Sequence, residues 1–593
     1  MVSVAFQKYT ENMENELKYN PKKLWEYIRE KNNKTRIPGS MIYKGQHITG
    51  PERITQAFAD FFSSTYQKGD QPSRQYVENH LYNTNICKVF EEDVITAAKQ
   101  LKSTNSMGID NLPTFQIQDC IHVWAKPLTI LFNKSLEQQI FPEIWKESRI
   151  VPVLKKGNSN IIENYRPITI IPVFAKIFER ILHNKIFQSI KCQISLSQHG
   201  FFEKRSTITN LMTKMQYITG NMNASIQTDV IYTDFQKAFD RVDHELLLER
   251  LANIGLSLKL IKLLCSYLHE RKMHVYYCSA NSRTFIATSG VPQGTNLAAL
   301  LFAIFINNLP GIINTEVLLF ADDVKILKTI NNQADCHALQ DQINKLMQWC
   351  EMNKLELNIN KCCVMSYTRA KQPILNAYKI GNECLKRAQE TTDLGITFQS
   401  DLSFRNHVAN IIKNTYRTMG MVIRNCSHFK STAPLEMLYC SLIRPKLEYC
   451  TQIWSPHDSC LINDVESIQR KYLKFLHFKK HGVYPEIGSS AEILRSEFKM
   501  DSMEKRRIFN DINFVRKLIN GDVESTHLIG TLNFYVPRIN SRYHPTFYVD
   551  SSRRDAHKFS PINRMCSQVN ELLNGFDIFS ASKKDICSAL EMQ

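Results

Sequence analysis

Apolar residues recur along the chain with two different spacings, and each spacing predicts a type of element. Apolar positions three and four residues apart predict helices at about 91–103, 114–137, 174–187, 243–254 and 335–353. Short apolar or alternating runs bounded by turn residues predict strands at 150–154, 230–235, 317–320, 324–327 and 355–359. Asp243 stands where a helix N-cap is expected. Beyond about residue 400 the pattern is mostly helical, so we expect a mixed protein with helical ends.

Length, charge and cysteine content narrow the class of protein. A chain of 593 residues is too long to fold around a single hydrophobic core, and its length predicts roughly three or four lobes. The net charge of +17 suits nucleic acid or an anionic membrane, although a merely solvated basic surface gives the same value. No apolar run is long enough to span a membrane, and the N-terminus does not resemble a signal peptide. The 16 cysteines lack CxxC or zinc-finger spacing, so we expect reduced thiols, no zinc site and an intracellular protein, nuclear or cytoplasmic.

Asp322 and Asp323 lie between the two strand-like runs of VLLFADDVKIL, at the expected tip of a hairpin. Adjacent carboxylates repel each other unless a cation lies beside them, and Mg²⁺ prefers oxygen ligands. The alternative is a pair of solvated turn residues without a function. Taken alone, the pair favours that alternative.

Asp234 ends an apolar strand 88 residues earlier, in IYTDFQKAFDRVDH. A strand-borne Asp234 and a hairpin-borne Asp322 can meet on neighbouring strands of one sheet. Together they would bridge two Mg²⁺ ions for an in-line phosphoryl displacement. The alternative for Asp234 by itself is an ordinary turn residue after a strand.

FADD, TDFQKAFD and SGVPQGTNLAALLF occur in the order and spacing of reverse transcriptases, and the chain resembles those of non-LTR retrotransposons of the Jockey-like group. The resemblance implies an α+β right-hand polymerase with an antiparallel palm sheet and mostly helical N- and C-terminal extensions. It implies catalytic and metal-binding roles for Asp234, Asp322 and Asp323, with Asp323 the supporting carboxylate. It also implies RNA-templated extension of a DNA primer with dNTPs and two Mg²⁺ ions.

Further site residues follow from the same resemblance. Phe239 would pack against the incoming sugar and exclude a 2′-hydroxyl, although a core phenylalanine would look the same. Lys361, in LNINK, would donate a proton to pyrophosphate, although a surface lysine is the alternative. Nucleotide contacts are implied for Gln293, Lys155 and Lys156, and template or primer contacts for Arg166, Gly290, Pro292, Gly294, Leu394 and Gly395.

Two places depart from the family pattern. Asn296, Ala298 and Ala299 interrupt a segment usually reading GxxLGPLLF, and Phe202 stands in GFFEKRST where an arginine is usual. We also expect that the chain lacks the N-terminal endonuclease and the C-terminal zinc knuckle of some relatives.

The resemblance predicts four regions: a helical linker at 1–85, fingers and palm at 86–400, a helical thumb at 401–490 and a basic helical region at 491–593. The second hypothesis for function is a decayed or repurposed nucleic-acid-binding remnant of the same fold, favoured by the departures. A third, an RNA-directed RNA polymerase, is opposed by Phe239.

Overall fold

The computed structural model describes residues 2–32, 37–67, 84–486, 488–537, 545–550, 555–572 and 576–591. The N-terminal two thirds contain helices interspersed with strands. The helices are α1 (Val2–Tyr19), α2 (Lys23–Asn32), α3 (Pro51–Ser63), α4 (Glu91–Gln100), α5 (Thr114–Asp119), α6 (Ile121–Gln138), α7 (Glu143–Lys146), α8 (Val173–Ile190), α9 (Thr207–Asn223), α10 (His244–Asn253), α11 (Leu258–Leu268), α12 (Asn296–Phe305), α13 (Leu309–Ile312) and α14 (Gln333–Met352).

The strands lie in the same part of the chain. They are β1 (Ser40–Tyr43), β2 (Gln46–Thr49), β3 (Ser148–Leu154), β4 (Tyr165–Ile170), β5 (Gln227–Thr233), β6 (Arg271–Tyr277), β7 (Ala280–Asn281), β8 (Phe285–Ala287), β9 (Glu316–Phe320), β10 (Asp323–Ile330), β11 (Cys363–Tyr367), β12 (Lys379–Ile380), β13 (Glu383–Cys384), β14 (Lys386–Arg387), β15 (Glu390–Asp393) and β16 (Ile396–Gln399).

Helices make up the regular structure described after β16. They are α15 (Arg405–Asn425), α16 (Thr432–Leu438), α17 (Arg444–Glu448), α18 (Thr451–Trp454), α19 (Ser459–His481), α20 (Ala491–Glu497), α21 (Met503–Ile519), α22 (Thr526–Ile529), α23 (Asp555–Lys558), α24 (Pro561–Glu571) and α25 (Lys583–Glu591). A π-helical turn, Tyr439–Ile443, joins α16 to α17. This confirms the helical pattern predicted after residue 400.

The central sheet has the order β14-β11-β5-β10-β9, and its pairs are antiparallel except β11 with β14. It is buried on both faces because side chains alternate between two cores. Ile231 of β5 packs into one core with α12 and α14, whereas Val230 and Tyr232 pack into another with α9 and the C-terminal helices. The apolar residues Val230 to Tyr232 made part of β5 predictable, whereas its first three residues, Gln227 to Asp229, are polar although buried, so the strand begins earlier than the predicted residue 230.

The second sheet has the order β4-β3-β6-β7, with β8 paired to β6, and α3 packs against it. Phe58 of α3 meets the Tyr165 ring edge-on at 5.1 Å. The N-terminal helix α1 instead reaches the C-terminal helices, where Glu14 accepts hydrogen bonds from the backbone amides of Lys430 and Ser431. The first 67 residues therefore contact both ends of the fold.

Of two local predictions, the helix cap is confirmed and one strand is wrong. The Asp243 cap is confirmed, since its carboxylate accepts a hydrogen bond from the Leu246 amide at 3.0 Å. The predicted strand at 355–359 was wrong. Only Leu357 forms a bridge, to Phe235, because the chain then enters the 3₁₀ turn Ile359–Lys361. A few residues later the chain forms β11, which pairs with β5 on the side opposite β10.

Candidate active site

Asp234, Asp322 and Asp323 meet at one end of two inner strands of the central sheet, β5 and β10, and this end forms the carboxylate edge of the sheet. Asp234 directly follows β5, and Asp323 begins β10, the antiparallel neighbour of β5. The register pairs Thr233 with Val324, so one further step brings Asp234 beside Asp323. The strand order thus brings together the three carboxylates singled out in the sequence.

The surroundings of Asp322 and Asp323 disfavour the charged forms of these two carboxylates. Burial raises the pKa of Asp322, and the Asp234 carboxylate raises it further. Burial, followed by the Asp322 carboxylate, raises the pKa of Asp323 to about 6. Carboxylates in this condition are stabilised by a bound cation.

The hairpin tip itself is strained. Phe320 pairs with Asp323, so Ala321 and Asp322 form a two-residue turn, with Ala321 at φ +56°. A non-glycine residue there is unusual and needs support from its neighbours. The support comes from Gln198, whose buried Oε1 accepts hydrogen bonds from the amides of Ala321, at 3.2 Å, and Gly200, at 2.9 Å.

Gly200 touches the tip directly. A Cβ atom at this position would lie 2.4 Å from the Ala321 amide nitrogen, which is too close for any side chain. Sequence analysis considered the segment GFFEKRST only for Phe202 and did not connect Gly200 with the hairpin. The glycine that begins this segment was the sequence feature that could have indicated a close backbone contact.

Lys361 pairs with Asp234. Its Nζ lies 2.5 Å from Oδ2 of Asp234, and both side chains remain accessible to solvent. The 3₁₀ turn Ile359–Lys361 holds the lysine there, because the Asn358 amide donates to the Asp234 carbonyl at 2.7 Å. Lys361 therefore provides a positive charge beside Asp234.

A cavity of about 970 Å³ opens beside Asp322, between the second sheet and the segment after β5. Its lining has six lysines and arginines against four acidic residues, Glu163, Glu203, Asp240 and Asp322, and this small positive excess suits a polyanion such as a triphosphate. Burial, followed by the charges of Arg166 and Lys361, lowers the pKa of Lys155. The basic residues of the lining are Lys155, Lys156, Arg166, Arg180, Lys237 and Lys361.

Phe239 lines the cavity and also packs into the core. Its ring stacks on Phe302 at 4.4 Å and meets the edge of Phe201 at 6.0 Å. The ring is half-buried, so one part remains available to a ligand. Both interpretations of this residue, as core packing and as a wall of the site, agree with its position.

The Gly-Pro-Gln-Gly loop divides into a buried half and an exposed half. Gly290 and Pro292 are buried and do not line the cavity, whereas Gln293 and Gly294 do. Gly290 has φ +82°, and a Cβ there would lie 2.7 Å from Asp240 Cα. Gly290 therefore permits close packing of the loop against the turn after β5.

Asp240 is a neighbour of the site that sequence reasoning missed. It accepts a hydrogen bond from Gln293 Nε2 at 2.7 Å, and burial raises its pKa to about 6. The contact fixes the orientation of the Gln293 amide at the cavity wall. Sequence analysis considered only Asp234 in the segment TDFQKAFD and assigned no role to Asp240 at its end.

Leu394 and Gly395 lie at the tip of the β15–β16 hairpin, outside the cavity lining. Both have positive φ, 46° and 84°, which is the geometry of a tight two-residue hairpin turn. The Tyr449 hydroxyl donates to the Leu394 carbonyl at 2.9 Å. This tip is therefore held against the C-terminal helices.

A buried ionic triad links this hairpin to the carboxylate edge. Asp393, next to Leu394, lies 2.5 Å from Lys214 Nζ and 2.7 Å from Lys325 Nζ, and the three side chains are at most 4% exposed. Lys325 shares one face of β10 with Asp323, two residues away. Burial lowers the pKa of Lys214 to about 7 despite Asp393. The sequence feature that could have predicted this triad is Lys325, a charged residue inside the apolar run VKIL.

Residues 153–398 match the family model described as reverse transcriptase (RNA-dependent DNA polymerase). This segment contains the three carboxylates, the cavity-lining loop and the β15–β16 hairpin. This segment is therefore similar to reverse transcriptases, and it lies in the mixed helix-and-sheet part of the fold. Members of this family use divalent metal ions.

The curated relatives that the chain resembles include RNA-directed DNA polymerases of mobile elements. The chain is 26% identical to the probable RNA-directed DNA polymerase from transposon BS of Drosophila melanogaster, over 65% of this chain and 44% of that protein. It is also 26% identical to the RNA-directed DNA polymerase from mobile element jockey of Drosophila funebris, over 65% and 43%. The chain thus spans less than half the length of these relatives.

Among solved structures, apo telomerase from Candida tropicalis, truncated from its C-terminal domain, matches at 14% identity with a TM-score of 0.30. The match covers 47% of this chain and 59% of the telomerase, a likeness too slight to bear on function. In the part of the chain that the structure describes, no helix combines the length and apolar character needed to cross a membrane.

Proposed function

We propose that this chain is an RNA-directed DNA polymerase, which extends a primer 3′-hydroxyl with dNTPs on the RNA template of a non-LTR retrotransposon. The observation that carries the proposal is the meeting of Asp234, Asp322 and Asp323 beside a basic cavity of about 970 Å³. The proposed place of action is inside the cell, in the nucleus or the cytoplasm.

Asp234, Asp322 and Asp323 would hold two Mg²⁺ ions. Carboxylate oxygens are the ligands that Mg²⁺ prefers, and the raised pKa values of Asp322 and Asp323 support a need for cations there. Bound Mg²⁺ lowers the pKa of an attacking hydroxyl and stabilises a pyrophosphate leaving group. Lys361 would leave Asp234 when the ions bind and would protonate the pyrophosphate.

The cavity would hold the nucleotide. Lys155 and Lys156 would contact the triphosphate as point charges, and Gln293, fixed by Asp240, would face the base pair. The exposed part of the Phe239 ring would pack against the sugar and select deoxynucleotides. Template or primer contacts are proposed for Arg166, Gly290, Pro292, Gly294, Leu394 and Gly395. Because Gly290 and Pro292 are buried, they would act by shaping the loop that carries Gly294.

We further propose the region boundaries given above: an N-terminal extension at 1–85, fingers and palm at 86–400, a thumb at 401–490 and a C-terminal region at 491–593. The change from mixed structure to helices after β16 supports the boundary near 400. The packing of α3 on the second sheet argues that the N-terminal extension is part of the polymerase fold.

A primer-extension assay tests the proposal. The purified chain receives a primed RNA template, dNTPs and Mg²⁺, and it is compared with Asp322→Ala and with Asp341→Ala, an exposed aspartate on α14. We expect extension by the wild type and Asp341→Ala only, and none after chelation of Mg²⁺. Efficient use of rNTPs would contradict the role of Phe239.

The second candidate is a nucleic-acid-binding remnant that no longer polymerises. Asn296 and Ala299, two of the departures from the family pattern, line the cavity, and this observation favours it. Phe202 is weaker support for the remnant, because it is buried, stacks on Phe187 at 5.5 Å and does not line the cavity. Binding of primed template by a wild type that extends no primer would establish the remnant.

A further inference from the structure

Two histidines and a glutamate meet where α19 ends and α20 ends. His477 and His481 are four residues apart on α19, so they lie on one face of that helix. Glu497 is the last residue of α20, and its two oxygens lie 2.9 Å from His477 Nδ1 and 2.7 Å from His481 Nε2. The three donor atoms all lie within 4.8 Å of one another.

The donor set is that of a transition-metal site. Two imidazole nitrogens and one carboxylate oxygen are ligands for Zn²⁺ and similar borderline cations, and a fourth position is often filled by water. Tetrahedral bonds of about 2.0–2.2 Å place ligand atoms roughly 3.3 Å apart. The two histidine–carboxylate separations, 2.9 and 2.7 Å, are shorter than that value, and all donor atoms lie within 4.8 Å of one another, so small side-chain rotations would suffice. His481 is 43% exposed, which leaves a side open for water.

Local electrostatics favour a cation at this point. The Glu497 carboxylate lies within hydrogen-bond distance of His477, His481 and Lys480, so several positively polarised donors converge on it. His481 is the last residue of α19, where the helix dipole is negative, and His477 lies one turn before it. Lys480 competes, with its Nζ 2.9 Å from Glu497, yet it is 45% exposed, so displacing it costs little.

We propose that His477, His481 and Glu497 form a binding site for Zn²⁺ or a closely similar divalent cation, which links α19 to α20. The ion would replace the hydrogen bonds that now join the histidines to the carboxylate. The site stands apart from the cavity-lining residues, so the proposal does not depend on polymerase activity. Spacing rules missed it because Glu497 is separated from His481 by a loop and belongs to a different helix.

Calorimetric titration of the full chain with Zn²⁺ tests the proposal. The variants are His477→Gln/His481→Gln and Glu497→Gln, with His122→Gln, an exposed helical histidine, as control. We expect one site whose affinity falls at least about tenfold in the two site variants, since even outer contacts to a metal contribute 10–100-fold. We expect Zn²⁺ to raise the unfolding temperature of the wild type and His122→Gln only.

Two further measurements exclude the cysteines and place the ion. Co²⁺ bound at this site gives visible absorption without the thiolate charge-transfer band that cysteine ligands produce. Lys480→Gln removes the competing ammonium and should tighten binding. Equal affinity in the wild type and the double histidine variant, a thiolate band for the bound Co²⁺, or unchanged or weaker binding by Lys480→Gln would overturn the proposal.

Discussion

Two clusters of charged side chains lie close together on the central sheet, and they handle charge in opposite ways. At the sheet edge, Asp322 and Asp323 are crowded acids with raised pKa values and an accessible lysine nearby. Behind them, Asp393 is enclosed by Lys214 and Lys325, and its pKa is held low because these lysines outweigh its burial. The first cluster leaves charge for a ligand to neutralise, and the second neutralises itself.

The difference separates a binding role from a structural one. A buried ion pair is weak evidence for net stability, but breaking one leaves an uncompensated buried charge. The triad joins α9, β10 and the β15–β16 hairpin, so it fixes the two hairpins relative to each other. The open cluster depends on that fixed frame, and the predictions below disturb each cluster in turn.

The largest expected effect is on stability. Asp393→Asn leaves two buried lysines without a carboxylate, and we expect a loss of about 3–5 kcal/mol, measured by denaturant unfolding. Asp401→Asn, at an exposed neighbour, should change little. Replacement of the whole triad, Lys214→Met/Lys325→Met/Asp393→Leu, should recover most of the stability. A harmless Asp393→Asn would end the structural interpretation of the triad.

The next effect is on catalysis through the hairpin tip. Gly200→Ala places a methyl group 2.4 Å from the Ala321 amide, so the tip must move. Displacements of about 1 Å at a reacting centre cost on the order of 10²-fold in rate, and we expect that loss in single-nucleotide incorporation. Gly220→Ala in α9 is the matched control, because the described residues place no heavy atom outside its own helix backbone within 4 Å of the added methyl group. Equal rates for both variants would remove Gly200 from the support of the tip.

The smallest effect is a pH dependence of stability without divalent cations. Because the folded-state pKa of Asp323, about 6, lies above the ordinary 3.8, the folded protein binds the proton more tightly. This contribution is present below about pH 4 and is lost as pH rises to about 6. Thermal unfolding should therefore show Asp323→Asn gaining stability over wild type from pH 4 to 7. Parallel profiles for the two proteins would contradict the assignment.

Sequence reasoning succeeded where a single element carries the information. The apolar run of β5, the FADD hairpin and the Asp243 cap are local, and the order of motifs indicated that distant carboxylates share one sheet. It failed where partners come from separate elements. Gln198 supports Ala321 across the fold, Lys325 finds Asp393 through a hairpin, and Glu497 meets His477 across a loop. The 355–359 run alternates like a strand, yet the following turn shortens its pairing to one bridge.

The most direct test measures incorporation of one complementary dNTP as Mg²⁺ is titrated, alongside binding of the primed RNA template. The central claim predicts that Asp322→Asn binds the template like the wild type but loses at least about 10³-fold in incorporation, the upper scale for one electrostatic contact to a transition state. Asp341→Asn should match the wild type in both measurements. Incorporation by Asp322→Asn at the wild-type rate and Mg²⁺ dependence would contradict the claim.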